Sequence, residues 1–343
     1  MNLLEYTFSG KKVTYYLDDS LSSLQNKVPV NRSVIITDET VYQAYAGQLA
    51  GFQTIVIPAG EQHKNQATVN HILDELIRME ADRQSFVIGL GGGVVTDIAG
   101  FAASVYMRGI RFGFVPTTIL GQVDASIGGK NGIDAGIYKN IIGVIRQPEF
   151  ILFDHTLLQT LPQEQWVNGF AEIIKHACIR DAQLFALLEQ KKLEDFQQDH
   201  QLLAELIRRN VDIKSGVVAK DEFETGDRKL LNFGHTIGHA VENTYELLHG
   251  FAVSIGMVAA CSISGTVSGF SVPEQERVLK VLQQYGLPIY LEFDKKRVFE
   301  ILKMDKKRVR EEISFVLLKT IGHAVIQKIP LTELEELIQK MSD

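Results

Sequence analysis

The chain has 343 residues, 45% of them hydrophobic and 22% charged, and its formal net charge is −7. This length predicts two domains, and this composition is typical of a globular protein that buries a large core. The acidic balance argues against a general binder of nucleic acids or anionic membranes, although it leaves room for a local basic pocket.

The first half of the chain alternates predicted strands and helices. Short apolar segments that end at turn residues predict strands at 34–36, 53–57, 86–90 and 112–115. Helical periodicity predicts a helix that contains Val69, Ile72 and Leu76, and a glycine-rich turn leads into a second helix at 94–106. Strands that alternate with helices indicate a doubly wound, mostly parallel sheet, which holds ligands at the carboxyl ends of its strands.

The second half is predicted to be almost entirely helical. Apolar periodicity gives helices at 166–179, 182–191, 202–221, 235–247, 253–267 and 273–285, and a strand signal returns at 313–317. We therefore expect an α/β domain over residues 1–161 and an all-helical domain over residues 162–343, with the boundary near Leu161 and Pro162. The uncharged stretch 250–270 is long enough to span a membrane, but its glycines and serines favour a buried core helix.

The N-terminus and the cysteines bear on the compartment. Residues 1–5 lack the charged and apolar regions of a signal peptide. Cys178 and Cys261 lie far apart in apolar segments, which is typical of buried thiols in a reducing compartment and not of a disulfide framework. We therefore expect a cytoplasmic protein.

The turn Gly-Gly-Gly at 91–93, between a predicted strand and a predicted helix, is the first candidate binding feature. Glycines at this place let backbone amides approach a phosphate at the positive end of a helix. The turn does not match the Gly-x-Gly-x-x-Gly pattern, because Thr96 occupies the last glycine position, and a tight turn without a ligand is the competing interpretation. Polar turns after other strands, at 60–64 and 117–118, favour a nucleotide.

The segment 124–130 (Asp-Ala-Ser-Ile-Gly-Gly-Lys) is the next candidate, and Lys139 and Asn140 follow it. Two glycines before Lys130 predict a flexible loop that carries a cation to an anionic group. A solvated loop lysine explains the same pattern, so this segment alone does not decide between the two interpretations.

His235, His239 and His249 lie in one stretch of the second half. His235 and His239 are four residues apart, so on a helix they share a face, and two imidazoles with one carboxylate leave a zinc ion an open position. Glu172, on a predicted helix with His176, is a candidate carboxylate. Spacing does not choose between His176 and the later histidines, and a pair of helix-surface histidines is the alternative without a metal.

Further polar residues precede these histidines in the chain: Lys175, Lys214, Glu224, Arg228 and Asn232. A planar guanidinium together with several lysines suits a substrate that carries a carboxylate or a phosphate. A salt-bridged helical surface explains the same residues when each is taken alone.

Together these segments resemble one known family. In chain order they are Gly-Gly-Gly at 91–93 with Asp97, Tyr-Met-Arg-Gly at 106–109, Pro-Thr-Thr at 116–118, Gln-Val-Asp-Ala-Ser-Ile-Gly-Gly-Lys at 122–130, Lys-Asn at 139–140, Ala-Glu-Ile-Ile-Lys at 171–175 and Leu-Asn-Phe-Gly-His-Thr-Ile-Gly-His at 231–239. Their order and spacing resemble those of the 3-dehydroquinate synthases, which are sugar-phosphate cyclases, from about residue 38 to residue 318. So many linked motifs are highly specific for that superfamily.

The resemblance implies a lyase that converts 3-deoxy-D-arabino-heptulosonate 7-phosphate into 3-dehydroquinate and phosphate, the second step of the shikimate pathway. It implies bound NAD, which is reduced and reoxidised within one cycle, and a divalent metal, usually zinc, which cobalt is able to replace. The family fold has an N-terminal nucleotide-binding α/β domain and a C-terminal helical domain, with the active site in the cleft. The expected partners are a small sugar phosphate and a second copy of the chain, with no nucleic acid or membrane.

Matched motif by motif, the resemblance also implies roles for individual residues. The metal ligands are Glu172, His235 and His249, which places His239 at the substrate phosphate and not at the metal. The phosphate is further surrounded by Lys130, Asn232, a lysine at Lys306 or Lys307, and Arg108 from a partner subunit. Arg228 pairs with the carboxylate. The ring hydroxyls are held by Asp124, Lys175, Lys214 and Glu224, and Asn140 is a further catalytic residue. The NAD site comprises Asp38, Gly60, Glu61, Gln62, His63, Lys64, Gly92, Gly93, Val94, Val95, Thr96, Asp97, Thr117, Thr118, Leu120, Lys130, Lys139 and Thr160.

The chain departs from the family pattern in three places. Ala125 replaces the first serine of a Ser-Ser pair, and residues 130–134 are Lys-Asn-Gly-Ile-Asp where the family has Lys-Thr-Gly-Val-Asn. Residues 308–312 are Arg-Val-Arg-Glu-Glu where the family has glycines. The third departure leaves open which C-terminal lysine, Lys306 or Lys307, reaches the substrate.

Two other functions remain open from the sequence. Another sugar-phosphate cyclase, such as a 2-deoxy-scyllo-inosose or 2-epi-5-epi-valiolone synthase, acts on a substrate without a carboxylate and generally changes the positions of Arg228 and Asn232, both of which are retained here. A metal-dependent polyol dehydrogenase of similar two-domain build would release NADH in each turnover and would have no use for a phosphate pocket.

Overall fold

A computed structural model describes residues 2–136, 138–304, 308–309 and 311–340 of the chain. The chain divides into two compact units, of which the first covers 1–165 and 203–222 and the second covers 166–202 and 223–343. The predicted single boundary near Leu161 differs from this division, because the segment 203–222 returns to the first unit. There Lys214 donates to the backbone oxygen of Asp124 at 2.7 Å, and the Tyr6 hydroxyl donates to the carboxylate of Asp212.

The described residues contain twelve strands and twelve α-helices. The strands are β1 (Asn2–Phe8), β2 (Lys11–Leu17), β3 (Ser33–Asp38), β4 (Gln53–Ile57), β5 (Phe86–Gly91), β6 (Arg111–Pro116), β7 (Lys130–Ala135), β8 (Tyr138–Ile145), β9 (Phe150–Phe153), β10 (Arg308–Val309), β11 (Glu312–Thr320) and β12 (His323–Pro330). The helices are α1 (Glu39–Tyr45), α2 (Gln66–Arg78), α3 (Gly93–Val105), α4 (Gln163–Arg180), α5 (Ala182–Gln190), α6 (Leu193–Gln198), α7 (His200–Lys220), α8 (His235–Tyr245), α9 (His249–Val267), α10 (Val272–Gln284), α11 (Lys295–Met304) and α12 (Leu331–Lys340). Every strand and helix predicted from the sequence is present, with ends that differ by a few residues.

The first unit is built on a sheet with the strand order β1-β2-β9-β6-β5-β3-β4. From β2 to β4 in this order the neighbouring strands are parallel, whereas β1 is antiparallel to β2 at one edge. Every residue of β5 is buried, as expected for a central strand of a parallel sheet. The predicted doubly wound, mostly parallel sheet is therefore confirmed.

Several strands of the first unit were not predicted from the sequence, namely β1, β2, β7, β8 and β9. In β2, Val13, Tyr15 and Leu17 are buried and alternate with more exposed residues. This period-two pattern is the signal of a half-buried strand, so β2 was detectable from the sequence. Strand β9 has only four residues, all buried, and so short an apolar run carries no period.

The segment around Lys130 is a strand, so the predicted flexible loop was wrong. Gly128 and Gly129 adopt φ values of +100° and +70°, and Lys130 is the first residue of β7, which pairs antiparallel with β8. The backbone nitrogen of Arg146 donates to the Gly129 oxygen at 2.8 Å. The glycines form the left-handed turn that precedes the strand, and ladder pairing then satisfies the backbone of the residues that follow.

The parallel strands bring the polar turns of the sequence to one edge of the sheet. Asp38 ends β3, the turn 60–64 follows β4, the turn 91–93 follows β5 and Thr117 follows β6. Because neighbouring parallel strands point the same way, their carboxyl ends share an edge, which is the usual place for a ligand in such a sheet.

The second unit is helical, as predicted, and additionally contains the antiparallel sheet β10-β11-β12. The predicted strand at 313–317 lies inside β11, which pairs with β12. This sheet is held against α9, because the backbone nitrogen of Leu318 donates to the Ser264 hydroxyl at 3.0 Å and the Ser268 hydroxyl donates to the Leu318 oxygen at 2.6 Å.

Helices α8 and α9 approach each other so closely that glycine is required between them. A Cβ added to Gly256 would lie 1.8 Å from the backbone oxygen of Gly234, and one added to Gly238 would lie 3.0 Å from the oxygen of Ala252. Neither contact is with a side chain that could rotate away. The packing sets the two helices side by side, with their first residues, His235 and His249, carrying ring centroids 5.3 Å apart.

Helix α9 is the one helix among the described residues that is long and apolar enough to cross a membrane by length and composition. However, 67% of its apolar window is buried inside the protein. The burial and the glycine contacts with α8 agree with the predicted core helix.

We predict that Gly256→Ala destabilises the protein by roughly 1–3 kcal/mol or more, because overpacking against backbone cannot be relieved by a rotamer change. Gly216→Ala on α7 is the matched control, since no atom lies within 4 Å of its added Cβ. That change should stabilise the helix by roughly 0.5–1 kcal/mol. Urea unfolding of both variants measures the difference, and a Gly256→Ala protein as stable as the wild type would contradict the close packing.

Candidate active site

The glycine turn at 91–93 begins helix α3. Gly92 is the N-cap residue, and it has no side chain to accept hydrogen bonds from the first N–H groups of the helix. A Cβ added to Gly91 would lie 2.5 Å from the side chain of Val95, and one added to Gly92 would lie 3.1 Å from Cγ2 of Thr118. The turn therefore passes close to both neighbours, and the helix N-terminus beside Thr118 is suited to bind an anion.

A buried ion pair lies at the same edge of the sheet. Lys64 Nζ is 2.6 Å from Oδ2 of Asp97, and both side chains are largely buried. Burial alone would lower the pKa of Lys64, but the carboxylates of Asp97 and Glu61 outweigh it and raise that pKa above its usual value. Lys139 Nζ lies 3.8 Å from Glu61. The edge therefore combines two lysines with carboxylates that lie within ion-pair distance of them.

Other residues of the predicted nucleotide site have local roles in the fold. Oδ1 of Asp38 accepts a hydrogen bond from the backbone nitrogen of Val41 at 2.9 Å and so caps α1. The hydroxyls of Thr160 and Tyr45 are hydrogen-bonded at 2.8 Å. These bonds explain the side-chain orientations without a ligand, so contact with a nucleotide stays a prediction for both residues.

Lys214 and Asp124, both predicted to hold the substrate, are in direct contact. Lys214 Nζ lies 2.9 Å from Oδ1 and 2.7 Å from the backbone oxygen of Asp124. Asp124 belongs to the π-helical turn Gly121–Ala125. Such turns are rare and are often found at functional sites.

Other predicted substrate residues of the first unit are exposed. Lys130 begins β7 and Asn140 lies on β8, and both are exposed. Arg108 is also exposed, in the turn after α3, with φ of +66°. Lys306 and Lys307 lie outside the described residues.

The predicted metal ligands meet in the second unit. Glu172 is fully buried on α4, and His235 and His249 are the first residues of α8 and α9. Oε1 of Glu172 lies 3.4 Å from Nε2 of His235 and 3.2 Å from Nε2 of His249. One ligand atom from each residue lies within 4.8 Å of the other two. Two imidazole nitrogens and one carboxylate oxygen therefore converge on one point.

This arrangement fits a zinc ion. Ligand atoms about 2.1 Å from a tetrahedral ion lie about 3.4 Å apart, which matches the separations between Glu172 and the two imidazoles. The other oxygen of Glu172 forms an ion pair with Lys175. Three protein ligands leave one position open, as in catalytic zinc sites, whereas structural sites are closed by four.

His249 also belongs to a second group of candidate ligands, which contains His239 and Glu242. Its Nδ1 lies 3.3 Å from Oε2 of Glu242, on the side of the ring opposite Glu172. His239 packs against His235, with ring centroids 5.1 Å apart, so the shared helix face expected from their spacing is present. The group with Glu172 is the stronger candidate, because one carboxylate oxygen of Glu172 contacts two imidazoles.

The two carboxylates raise the pKa of His249. Burial alone would lower it, but the hydrogen bonds to Glu172 and Glu242 outweigh burial and raise the pKa from 6.5 to about 10. The imidazole of His249 therefore lies between two carboxylates, a setting that suits a bound cation.

Further predicted substrate residues lie in the segment 224–232, immediately before α8. The side-chain amide of Asn232 donates to Oε1 of Glu224, which has φ of +60° in the left-handed region. Arg228 is only 3% exposed within the 3₁₀ turn Asp227–Asn232. A guanidinium is rarely buried so far unless it serves an anionic or polar partner.

Glu242, which is 5% exposed on α8, was not predicted from the sequence. It follows His239 by three residues, so helix spacing places the two on one face, and that signal was available in the sequence. Its contact with His249 was not available, because the chain leaves one helix and enters the next between them.

Sequence profiles of one family match most of the chain. The profile of the 3-dehydroquinate synthase N-terminal region matches residues 54–168, and that of the 3-dehydroquinate synthase C-terminal region matches residues 169–308. The 3-dehydroquinate synthase of Pelobacter propionicus is 41% identical over 88% of this chain and 88% of its own length. That of Pyrococcus furiosus is 40% identical over 93% of this chain and 96% of its own.

A solved structure of a differently named enzyme is also similar to this chain, at lower identity. The 2-epi-5-epi-valiolone synthase of Streptomyces hygroscopicus, with NAD+ and Zn2+ bound, has a TM-score of 0.87 and 30% identity, and the match covers 99% of this chain and 98% of that one. The matched profiles, the identities near 40% and the site described above lead to one conclusion: the chain belongs to the 3-dehydroquinate synthase family.

Proposed function

We propose that the chain is a carbon–oxygen lyase that converts 3-deoxy-D-arabino-heptulosonate 7-phosphate into 3-dehydroquinate and phosphate, a step of the shikimate pathway towards aromatic amino acids. The observation that carries this proposal is the 40–41% identity to 3-dehydroquinate synthases along nearly the whole chain. The valiolone synthase is 30% identical, and this lower identity supports the dehydroquinate activity over the valiolone activity.

Glu172, His235 and His249 are the proposed ligands of a divalent metal ion. Their nitrogen and oxygen donors suit zinc, which the related valiolone synthase contains, and cobalt accepts the same donors. When bound, the ion supplies Lewis acidity to hydroxyl groups of the substrate. Glu172 has the further task of holding Lys175 through its second oxygen, which keeps that ammonium beside the ligands.

The proposed NAD site is the carboxyl edge of the sheet in the first unit. The related valiolone synthase binds NAD+. The N-terminus of α3 would receive the pyrophosphate, and Thr117, Thr118, Lys139 and Thr160 would contact the rest of the dinucleotide. When bound, NAD supplies a hydride acceptor that is restored within the same cycle. Lys64, in its ion pair with Asp97, lies at the same edge of the sheet.

The remaining residues are proposed to bind the two anionic ends of the substrate and its hydroxyls. Arg228 would hold the carboxylate, because a planar guanidinium offers paired donors to its two oxygens. The phosphate would be surrounded by Lys130, Asn140, Asn232 and His239, and by Arg108 contributed by a second copy of the chain. The ring hydroxyls would be positioned by Asp124, Lys175, Lys214 and Glu224. The contacts between Lys214 and Asp124 hold these two side chains in place.

The role proposed for Arg108 requires a homodimer, and we propose that this homodimer acts in the cytoplasm. The net charge of −7 supports the expectation that nucleic acids are not partners. Sedimentation of the purified protein at micromolar concentration measures the oligomeric state.

We predict that Arg228→Ala lowers kcat/KM for the heptulosonate phosphate by at least ~10-fold, because each charged hydrogen bond to the carboxylate contributes about 1.5–3 kcal/mol. Arg228→Lys should recover only part of the loss, since one ammonium does not reproduce the paired donors. The measurement is phosphate release by the wild type and both variants, with metal and NAD binding checked in each.

Glucose 6-phosphate and sedoheptulose 7-phosphate are the matched control substrates, because neither has a carboxylate for Arg228 to hold. The wild type should release phosphate from the heptulosonate phosphate in strong preference to both. A preference for either carboxylate-free sugar would instead assign the chain to another sugar-phosphate cyclase activity.

We also predict that His249→Ala abolishes retention of the metal, whereas His176→Ala leaves it bound. His249 places Nε2 3.2 Å from Glu172, while His176 is a buried residue one helical turn beyond Glu172 on α4. Elemental analysis after gel filtration measures the metal, and circular dichroism checks that both variants are folded. Loss of metal from His176→Ala but not from His249→Ala would reverse the ligand assignment.

A further inference from the structure

We propose that Glu242 is a positioning residue for the metal ligand His249, a role that rests on the metal site proposed above. Glu242 lies on α8 and is 5% exposed, and its Oε2 is 3.3 Å from Nδ1 of His249. The other ring nitrogen of His249, Nε2, is 3.2 Å from Oε1 of Glu172. The imidazole of His249 is therefore held between two carboxylates, one at each nitrogen.

The chemistry of imidazole gives these two carboxylates different tasks. A neutral imidazole binds a metal through the lone pair of one nitrogen and carries its proton on the other. An acceptor at the protonated nitrogen fixes the tautomer and the ring plane and makes the metal-binding nitrogen more basic. Because Nε2 of His249 converges with His235 on Glu172, Nδ1 is the nitrogen that donates, and Glu242 is its acceptor.

The two histidine ligands are supported unequally. Nδ1 of His235 lies 3.2 Å from the backbone oxygen of Phe233, a neutral acceptor whose position is set by the chain itself. The side chain of His235 is 11% exposed, whereas that of His249 is 30% exposed. Fewer packing contacts therefore fix the ring of His249, so its orientation depends more on a single hydrogen bond. A charged acceptor makes that bond stronger than a carbonyl would.

The same residues offer a second arrangement, in which Glu242 would itself bind the metal together with His239 and His249. The two arrangements use opposite nitrogens of one ring. A change of Glu242 would remove a ligand atom in the second arrangement, but only an outer hydrogen bond in the first. The absorption spectrum of bound Co2+, which reports the donor set, therefore distinguishes the two arrangements.

The test compares Glu242→Gln and Glu242→Ala with the wild-type full-length protein. The dissociation constant of Zn2+ is measured by competition with a chromophoric chelator, and the absorption spectrum of bound Co2+ reports the donor set. We expect affinity to fall about 10–100-fold in Glu242→Ala, with an unchanged Co2+ spectrum. Glu242→Gln should lie between the wild type and Glu242→Ala, because its amide oxygen still accepts from Nδ1 but carries no charge.

Two further variants serve as controls. Glu246→Gln removes an exposed carboxylate at the end of the same helix and should bind Zn2+ like the wild type, whereas Glu172→Gln should lose far more affinity than Glu242→Gln because it replaces a ligand. Wild-type zinc affinity in both Glu242 variants overturns the proposal, as does a lowered melting temperature of the metal-free protein with no change in affinity. A changed Co2+ spectrum in Glu242→Gln overturns it in favour of a direct ligand.

Failure of the positioning role and failure of the proposed function give different results. Wild-type protein that binds Zn2+ but releases no phosphate from the heptulosonate phosphate contradicts the function and leaves the comparison of affinities intact. Wild-type protein that does not bind Zn2+ contradicts both.

Discussion

The carboxylate of Glu172 is completely buried, and the second unit is arranged around the need to compensate its charge. A buried charge is costly unless it is paired, hydrogen-bonded or bound to a metal. Lys175 lies one turn further along the same helix, and the imidazoles of His235 and His249 reach the carboxylate from two other helices. A divalent ion at this point would further compensate the negative charge of Glu172.

The position of those imidazoles depends on how closely two helices pack. Gly256 lies against the backbone of Gly234, one residue before His235 begins its helix, and no larger residue fits there. His249 begins the partner helix, so both imidazoles extend from helix N-termini whose separation is set by backbone contact. Backbone contacts are stiffer than side-chain contacts, which suits a site where ligand atoms must be held within a few tenths of an ångström.

Much of the fold and many site residues could be predicted because their signals are local. The alternation of apolar strands with periodic helices identified the parallel sheet, and the motifs around Glu172, Arg228 and His235 occupy short continuous segments. Two kinds of feature could not be predicted. The two glycines before Lys130 were assigned to a flexible loop, since a sequence does not show that the following residues find a strand partner some fifteen positions later. The other kind depends on how separate segments pack, which a local sequence pattern does not predict. Examples are the place of residues 203–222 in the first unit and the contact between Glu242 and His249.

The most direct test of whether NAD is restored in each cycle is one reaction in which phosphate, 3-dehydroquinate and NADH are measured together. Purified protein is supplied with the heptulosonate phosphate, Zn2+ and an amount of NAD far below that of the substrate. If the dinucleotide is restored within each cycle, phosphate and 3-dehydroquinate will form in equal amounts and will exceed the NAD many times over, with no steady rise in NADH absorbance. Formation of NADH in step with consumption of the sugar, ending when the NAD is exhausted, would show a dehydrogenase and would contradict the proposed cyclase.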